Sequence, residues 1–219
     1  MAALLLIVAA GSGTRLGRPE PKGLVPLAGR PLLSWTVDAF RPGRFSRAVV
    51  TAPPDRLEAF SRVVGDFGRV VAGGETRAAS VRRGVEALAP GDDDIVAIHD
   101  AARPFVSAEE VLAVLRAAEE IGAAIAAVPV VDTIKRVADG RIVETVDRST
   151  LYGAATPQAF RASVLRRAIA SGEEATDEAA LCEKRGDPVA VVPVSRRTFK
   201  ITTPEDLELA EAILARRQR

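Results

Sequence analysis

The sequence predicts an α/β fold, a mostly parallel sheet covered by helices on both faces, and three observations predict it. Residues 4–9 form an unbroken apolar run rich in branched side chains, bounded by Gly11, Ser12 and Gly13. A strand buried on both faces reads this way. Short runs of the same kind then alternate with helix-like stretches of about ten residues or more, the signature of repeated βα units. A glycine-rich, basic loop follows the first strand directly, where α/β proteins gather ligands.

The elements follow in order. Residues 31–40 predict a helix with Pro31 near its first turn. Residues 48–51 predict a short strand, and Pro53 and Pro54 open a helix that runs to about residue 64. Val70 and Val71 mark another strand and Gly73-Gly74 a turn. Residues 75–88 then place Ala78, Val81, Val85 and Leu88 on one helical face. Residues 95–98 are a strand ending at His99-Asp100. Ser107, with Glu110 three residues on, predicts a capping box for a helix over 109–120 that Gly122 ends. Residues 123–131 return to strand.

The pattern then changes. Residues 133–137 and 141–146 flank Asp139-Gly140, a hairpin signal. Their mixed, polar composition predicts a projecting arm over about 131–156. Exposed hairpin edges are safer covered by another chain, which points to a homodimer; edge strands on a monomer are the alternative. Residues 157–170 predict a helix, 177–185 a short helix, 189–194 a strand and 199–201 a short strand. Pro204-Glu205-Asp206 starts a last helix, to about residue 214. With no internal repeat or linker, residues 1–219 read as a single domain.

Composition excludes several function classes. With 47% apolar and 27% charged residues, the chain has an ordinary soluble balance. A net charge of +1 gives no general reason to expect nucleic acid or an anionic membrane. Cys182 is the only cysteine and His99 the only histidine, which excludes an intramolecular disulfide and leaves almost no room for a zinc site. The N-terminal apolar run has no basic segment before it and stops at the glycine loop. Neither a signal peptide nor a membrane span is expected, and a cytoplasmic location is.

The loop over residues 11–22 offers small residues that let backbone N–H groups approach phosphate oxygens, together with the cations Arg15 and Lys22 and the hydroxyls Ser12 and Thr14. It is not a Walker A loop, because no Gly-x-x-x-x-Gly-Lys-Ser/Thr string occurs. A dinucleotide fingerprint fails too: Leu16 holds the third glycine position, and the second strand ends in Thr51-Ala52-Pro53 rather than an acid. The plain alternative is a surface turn with incidental charges.

Residues 9–17 followed by Pro21-Lys22 resemble the signature loop of nucleotidyltransferases that activate sugars and polyols. More specifically, the chain resembles the 2-C-methyl-D-erythritol 4-phosphate cytidylyltransferase family of the non-mevalonate isoprenoid pathway. Further blocks match in order: 73–81, 98–104, 129–135, 145–148, Thr156-Pro157-Gln158, Thr176-Asp177-Glu178, 200–202 and 204–206. The ordered set covers essentially the whole chain. It implies a Rossmann-like nucleotidyltransferase fold and transfer of CMP from CTP to a polyol phosphate, with pyrophosphate leaving and Mg²⁺ as cofactor.

The resemblance also implies roles. Arg15, Lys22 and Lys200 are the catalytic cations. Ala10, Gly11, Ser12 and Gly13 cradle the CTP phosphates, and Gly74 and Ser80 belong to the cytosine and ribose region. Asp100, at the carboxyl end of its strand, is the metal carboxylate, as suits a hard cation shared with phosphates. Arg103, Thr133 and Arg148 are acceptor candidates, the last two on an arm that crosses to the partner subunit.

Each residue has a plain reading beside this one. Asp100 would cap the turn at Ala101-Ala102, Ser80 would pack or cap a helix, and the remaining cations and Thr133 would be surface groups. His99 reads as a turn or packing residue, since the reaction needs no base there. Gly23, Tyr152 and Ala155 depart from the family pattern, which commonly has Gln, Trp and a polar residue; they bear on substrate preference rather than reaction type. The competing readings are a ribitol-5-phosphate cytidylyltransferase, a uridylyl- or guanylyltransferase of the same superfold, and a non-catalytic nucleotide-binding regulator.

Overall fold

The computed structural model describes residues 1–11, 13, 16–42, 45–170 and 172–217. Strand β1 (Ala3–Val8) is hidden on both faces, with Leu4, Leu5, Leu6 and Ile7 fully buried. A minimal hairpin follows, β2 (Pro26–Leu27) with β3 (Arg30–Pro31), too short to show in the sequence pattern. Helix α1 (Leu32–Phe40), strand β4 (Arg47–Ala52), helix α2 (Leu57–Val64), strand β5 (Arg69–Ala72) and helix α3 (Arg77–Leu88) come next. Then come β6 (Ile95–Asp100), α4 (Ala108–Ile121) and β7 (Ala123–Pro129). The capping box on α4 forms as its sequence predicts: Ser107 Oγ accepts from the Glu110 N–H at 3.2 Å, and the Glu110 carboxylate accepts from the Ser107 N–H at 2.8 Å.

Two strands form the arm, β8 (Ile134–Ala138) and β9 (Arg141–Val146), which pair only with each other. Asp139 and Gly140 both have positive φ, 49° and 74°, as the tight turn of an Asp-Gly hairpin requires. After the arm come β10 (Tyr152–Arg161), α5 (Ala162–Ile169), α6 (Glu178–Lys184), β11 (Ala190–Pro193) and α7 (Pro204–Arg217).

The main sheet has the order β5-β4-β1-β6-β10-β7-β11. Only β10 runs antiparallel to its neighbours. This corrects the helix expected over 157–170, which begins at Ala162. Residues 155–160 are all buried, so the segment is a central strand with no solvent-exposed face to betray it. Pro157 disguised it further. Proline lacks a ladder N–H and is tolerated in a sheet at an irregularity, and β10 shifts register against β7 between Ala154 and Gln158. The strand expected over 199–201 is also corrected. A 3-10 turn (Arg196–Thr198) precedes it, and Ile201 donates its N–H to the Ala102 carbonyl at 2.9 Å instead of joining a ladder.

Alternation along β1 feeds two cores. Leu5 and Ile7 pack with Leu33, Val37, Phe40, Phe60 and Val114 from α1, α2 and α4. Leu4 and Leu6 pack with Val81, Val85, Leu165 and Cys182 from α3, α5 and α6 on the other face. Each fully buried leucine contributes about 1.5–3 kcal/mol. Helix α7 adds a third cluster in which Ala210 and Leu214 meet Leu27, Leu32 and Ile201. From β1 the chain passes through α1 to β4 on one side, while β6 pairs with the other edge of β1. The carboxyl ends of β1 and β6 therefore flank a topological switch point, where open α/β sheets hold ligands.

Candidate active site

Val8 and Asp100 are partners in register at the ends of β1 and β6. Above them lies a cleft of about 470 Å³, within the usual range for small-molecule sites. Its walls bring together Ala10, Gly11 and Lys22 from the loop, Gly74, Arg77 and Ser80 from the turn into α3, and Asp100 and Lys200.

The loop keeps its shape for steric reasons. A Cβ on Gly13 would lie 2.2 Å from the Glu20 carbonyl oxygen, so only glycine lets the two ends of the loop approach. The Lys22 N–H donates to the Gly11 carbonyl at 3.3 Å, and its ammonium donates to the Ile201 carbonyl at 2.9 Å. Gly23, a departure from the family pattern, has its side-chain space filled by Phe60, whose ring is 2.8 Å from where a Cβ would stand. Ser12 and Arg15 lie outside the described residues.

The opposite wall is equally tight. A Cβ on Gly73 would lie 2.5 Å from the Ala10 Cβ, so the turn before α3 rests directly on the end of β1. Ser80 is 1% exposed; its Oγ accepts from the Gly74 N–H and donates to the Thr76 carbonyl, both at 3.0 Å. Thr76 caps α3 by accepting from the Ala79 N–H at 3.1 Å. The amino end of α3, with Thr76 and Arg77, thus forms part of the cleft wall, and its dipole favours an anion there. Lys22, Arg77 and Lys200 line the cleft against two carboxylates, Glu75 and Asp100.

Asp100 sits among cations. Its Oδ2 accepts from the Lys200 ammonium at 2.7 Å, its Oδ1 accepts from Arg77 Nε at 3.3 Å, and Arg103 Nε stands 3.9 Å away. Burial alone would push its carboxyl up, but Lys200, Arg77 and Arg103 outweigh that and hold it well below the usual carboxylate range. Arg77 continues the network: its Nη1 spans both oxygens of Glu178, at 2.8 and 2.9 Å.

Behind Asp100, His99 is fully buried against Phe40 at a ring separation of 4.6 Å. Its Nε2 lies 3.0 Å from the Arg103 carbonyl, which only accepts, so Nε2 carries the proton. Its Nδ1 accepts from Thr156, whose Oγ1 in turn accepts from the Asp100 N–H, each at 3.1 Å. Burial lowers its pKa to about 4, so it is a neutral packing residue.

The acceptor candidates divide. Arg103 donates to the Thr198 carbonyl at 2.8 Å and lines a second, shallower hollow of about 620 Å³ with Arg196 and Lys200. Lys200 therefore faces both spaces. Thr133 and Arg148 line neither; Thr133 is exposed and Arg148 donates to the Val131 carbonyl at the base of the arm. Reading from sequence did not single out Arg77, Thr156 or Arg196. Arg77 and Glu178 each fall in a matched block, but nothing in the spacing ties residues 101 apart.

A parallel-sheet switch point with a glycine loop, a helix amino end and converging cations defines an α/β nucleotidyltransferase. A family profile described as IspD, 2-C-methyl-D-erythritol 4-phosphate cytidylyltransferase, matches residues 3–216. The cytidylyltransferase of that name from Frankia casuarinae is 46% identical over 217 residues, covering 96% of this chain and 80% of the relative. That from Rubrobacter xylanophilus is 45% identical over 226 residues, covering 99% and 96%. The crystal structure of the Thermus thermophilus enzyme superposes with a TM-score of 0.81 at 38% identity, covering 98% of this chain and all of that one. This chain belongs to the 2-C-methyl-D-erythritol 4-phosphate cytidylyltransferase family.

Family membership implies a divalent-cation-dependent transferase. Among the described residues no group of three or more His, Cys, Asp or Glu side chains is placed to hold a metal. Asp100 nonetheless fits the way Mg²⁺ is commonly held, by one or two carboxylates with substrate phosphates supplying the rest. Among the described residues no helix is long and apolar enough to cross a membrane.

Proposed function

We infer that this chain transfers CMP from CTP to 2-C-methyl-D-erythritol 4-phosphate in non-mevalonate isoprenoid precursor synthesis. The observation that carries the reading is the cleft at the β1/β6 switch point, where Lys22, Lys200 and Asp100 meet beside the glycine loop in a chain of this family. A phosphate oxygen of the acceptor attacks the α-phosphorus of CTP. The new O–P bond forms as the bond to the β-phosphate oxygen breaks, and pyrophosphate leaves with that electron pair. A phosphate monoester is already a nucleophile, so no covalent protein intermediate is needed. The protein aligns the in-line displacement and stabilises negative charge.

Lys22, with Arg15, neutralises charge developing on the α-phosphate and the leaving pyrophosphate. Ala10, Gly11, Ser12 and Gly13 donate backbone N–H groups to the phosphates. The turn at Gly74 and Ser80 receives the cytosine and ribose. Asp100 is the carboxylate that would hold a substrate-borne Mg²⁺, whose charge when bound offsets that of the triphosphate. Lys200, facing both spaces, connects the nucleotide to the acceptor, and Arg103 receives the acceptor phosphate.

Thr133 and Arg148 complete this acceptor site from the arm of a second subunit. The arm carries Val137, Ile142 and Val143 at 57%, 64% and 57% exposure, apolar surface that a homodimer would cover. The chain acts as one nucleotidyltransferase domain with its arm at about 131–156, working in the cytoplasm.

Pyrophosphate release from purified protein with Mg²⁺ and CTP tests the reading. Release with methylerythritol phosphate is the expected result. Release with ribitol 5-phosphate alone would overturn the acceptor, and no release with either would overturn the activity.

A further inference from the structure

Thr176, Asp177 and Glu178 form a motif that the reaction above leaves unused. Asp177 fixes the start of α6 twice: one carboxylate oxygen accepts from the Ala180 N–H at 3.0 Å, the other from Gln158 Nε2 at 2.8 Å. Gln158 is a buried residue of β10, whose partner in register on β6 is Ile98. Glu178, the first residue of α6, is thereby held 3% exposed with its carboxylate on Arg77 Nη1. The guanidinium serves two carboxylates unequally. It is 2.8–2.9 Å from both Glu178 oxygens but 3.3 Å from one Asp100 oxygen.

An arginine fork matches a carboxylate through two parallel bonds. A charge drawn out of water and deprived of its partner is driven to find another. With Glu178 neutral, the partly buried Arg77 guanidinium would have Asp100 as its remaining carboxylate and would close further onto it. Lys200 already takes Oδ2 at 2.7 Å and Arg77 Nε reaches Oδ1 only loosely, at 3.3 Å, so the closure would leave neither oxygen loosely held.

We propose that Glu178 is a positioning residue that holds Arg77 back from Asp100, leaving the Asp100 carboxylate able to exchange a cation partner for a divalent cation carried by the nucleotide. This rests on the reading of Asp100 as the metal carboxylate. The test is Mn²⁺·CTP binding to the full-length protein without acceptor, measured by calorimetry and Mn²⁺ electron paramagnetic resonance, beside metal-free CTP binding. Glu178→Gln is expected to weaken Mn²⁺·CTP binding about tenfold, the low end of what losing a partner behind a metal ligand costs. Metal-free CTP binding should move less than about threefold. Adding Arg77→Met should bring Mn²⁺·CTP binding back to within about threefold of the parent, because no guanidinium remains to close on Asp100.

An unchanged Glu178→Gln variant, or a double variant worse than the single one, would overturn the proposal. Should Glu178→Gln fail to fold, Arg77→Met alone decides. Binding as tight as the parent or tighter supports the proposal, and a tenfold loss sinks it. Asp100→Asn separates the two claims: if it binds Mn²⁺·CTP like the parent, the metal reading itself is wrong. If Asp100→Asn loses binding while Glu178→Gln does not, only the role given to Glu178 fails.

Discussion

The cleft and the arm are built on opposite terms. In the cleft, three cations that face the nucleotide space are each held by another element of the same chain: Lys22 by the Ile201 carbonyl, Lys200 by Asp100, Arg77 by Glu178. Among the described residues the arm strands β8 and β9 pair only with each other. Lys135 meets Thr145 and Arg136 meets Glu144, both at 2.7 Å, across the two strands, while Val137, Ile142 and Val143 face outward. The difference matters for catalysis. Charge stabilisation needs dipoles and cations fixed before the reaction begins, and buried, interlocked side chains supply that. Acceptor groups on an exposed hairpin are ordered only when something covers them. On the proposed reading, one half of the site is prepared by folding and the other by assembly.

Removing a cleft cation should have the largest effect. Lys22→Ala is expected to lower the rate of pyrophosphate release at saturating substrates by about 10²–10³, the cost of one well-placed transition-state donor, with an unchanged circular dichroism spectrum. Retention of rate within tenfold would break the claim that folding alone prepares this half.

The next effect sharpens the same contrast. Arg148→Ala should raise the acceptor KM by tenfold or more and leave the CTP KM within about twofold, because a charge-assisted phosphate contact is worth about 1.5–3 kcal/mol. Mixing the Lys22→Ala and Arg148→Ala proteins after unfolding and refolding them together should then restore activity. In a heterodimer one site collects both defects and the other none, so random pairing leaves about a quarter of all sites intact. No gain over the separate proteins would show that each site draws its arm from its own chain.

A smaller change probes what covers the arm. Ile142→Glu should shift sedimentation from dimer toward monomer at micromolar concentration. A buried apolar side chain of this size contributes about 1.5–3 kcal/mol, and twofold symmetry counts it twice. A protein that sediments as a monomer before the change would remove the assembly half of the comparison.

The same contrast governs what could be read from the sequence. Features written in local patterns were legible: the buried run of β1, the glycine loop with Lys22, the Ser107–Glu110 capping box, and the hairpin from Asp139-Gly140. So was Asp100, because it ends an apolar run. What escaped was set by distant partners. The central strand β10 hid behind Pro157, since burial on both faces erases the alternation that marks a strand. Residues 199–201 looked like a strand because Phe199 and Ile201 flank Lys200 in alternation, but the Ile201 backbone bonds go to Ala102 and Lys22 rather than to a ladder. The Arg77–Glu178 pair joins two helices on one face of the sheet, and its members are too far apart in the chain for spacing to reveal it.

His99 acts on stability rather than on turnover and gives an unusually clean measurement, because it is the only histidine. The folded chain holds it neutral with a pKa of about 4, whereas the ordinary value is 6.5. As pH falls between those values, the unfolded chain takes up a proton that the folded chain refuses, so stability drops with pH in this window. At about 1.4 kcal/mol for each pH unit, the loss approaches roughly 3 kcal/mol by pH 4. Asp100 works in a lower range. Its folded carboxyl lies below the unfolded one, so its contribution persists above the unfolded value of 3.8 and is lost only as pH falls further. The carboxylates elsewhere titrate in both proteins when the parent is compared with His99→Gln, in which an amide can still donate to the Arg103 carbonyl and accept from Thr156. Urea unfolding at pH 7 and pH 4.5 should therefore show a smaller acid-induced loss in His99→Gln than in the parent. The imidazole resonances of the folded parent should stay at their neutral positions from pH 8 down to pH 5. A midpoint near 6.5 would mean that the pocket behind Asp100 opens to water, and that the cleft is less firmly prepared by folding than its hydrogen bonds imply.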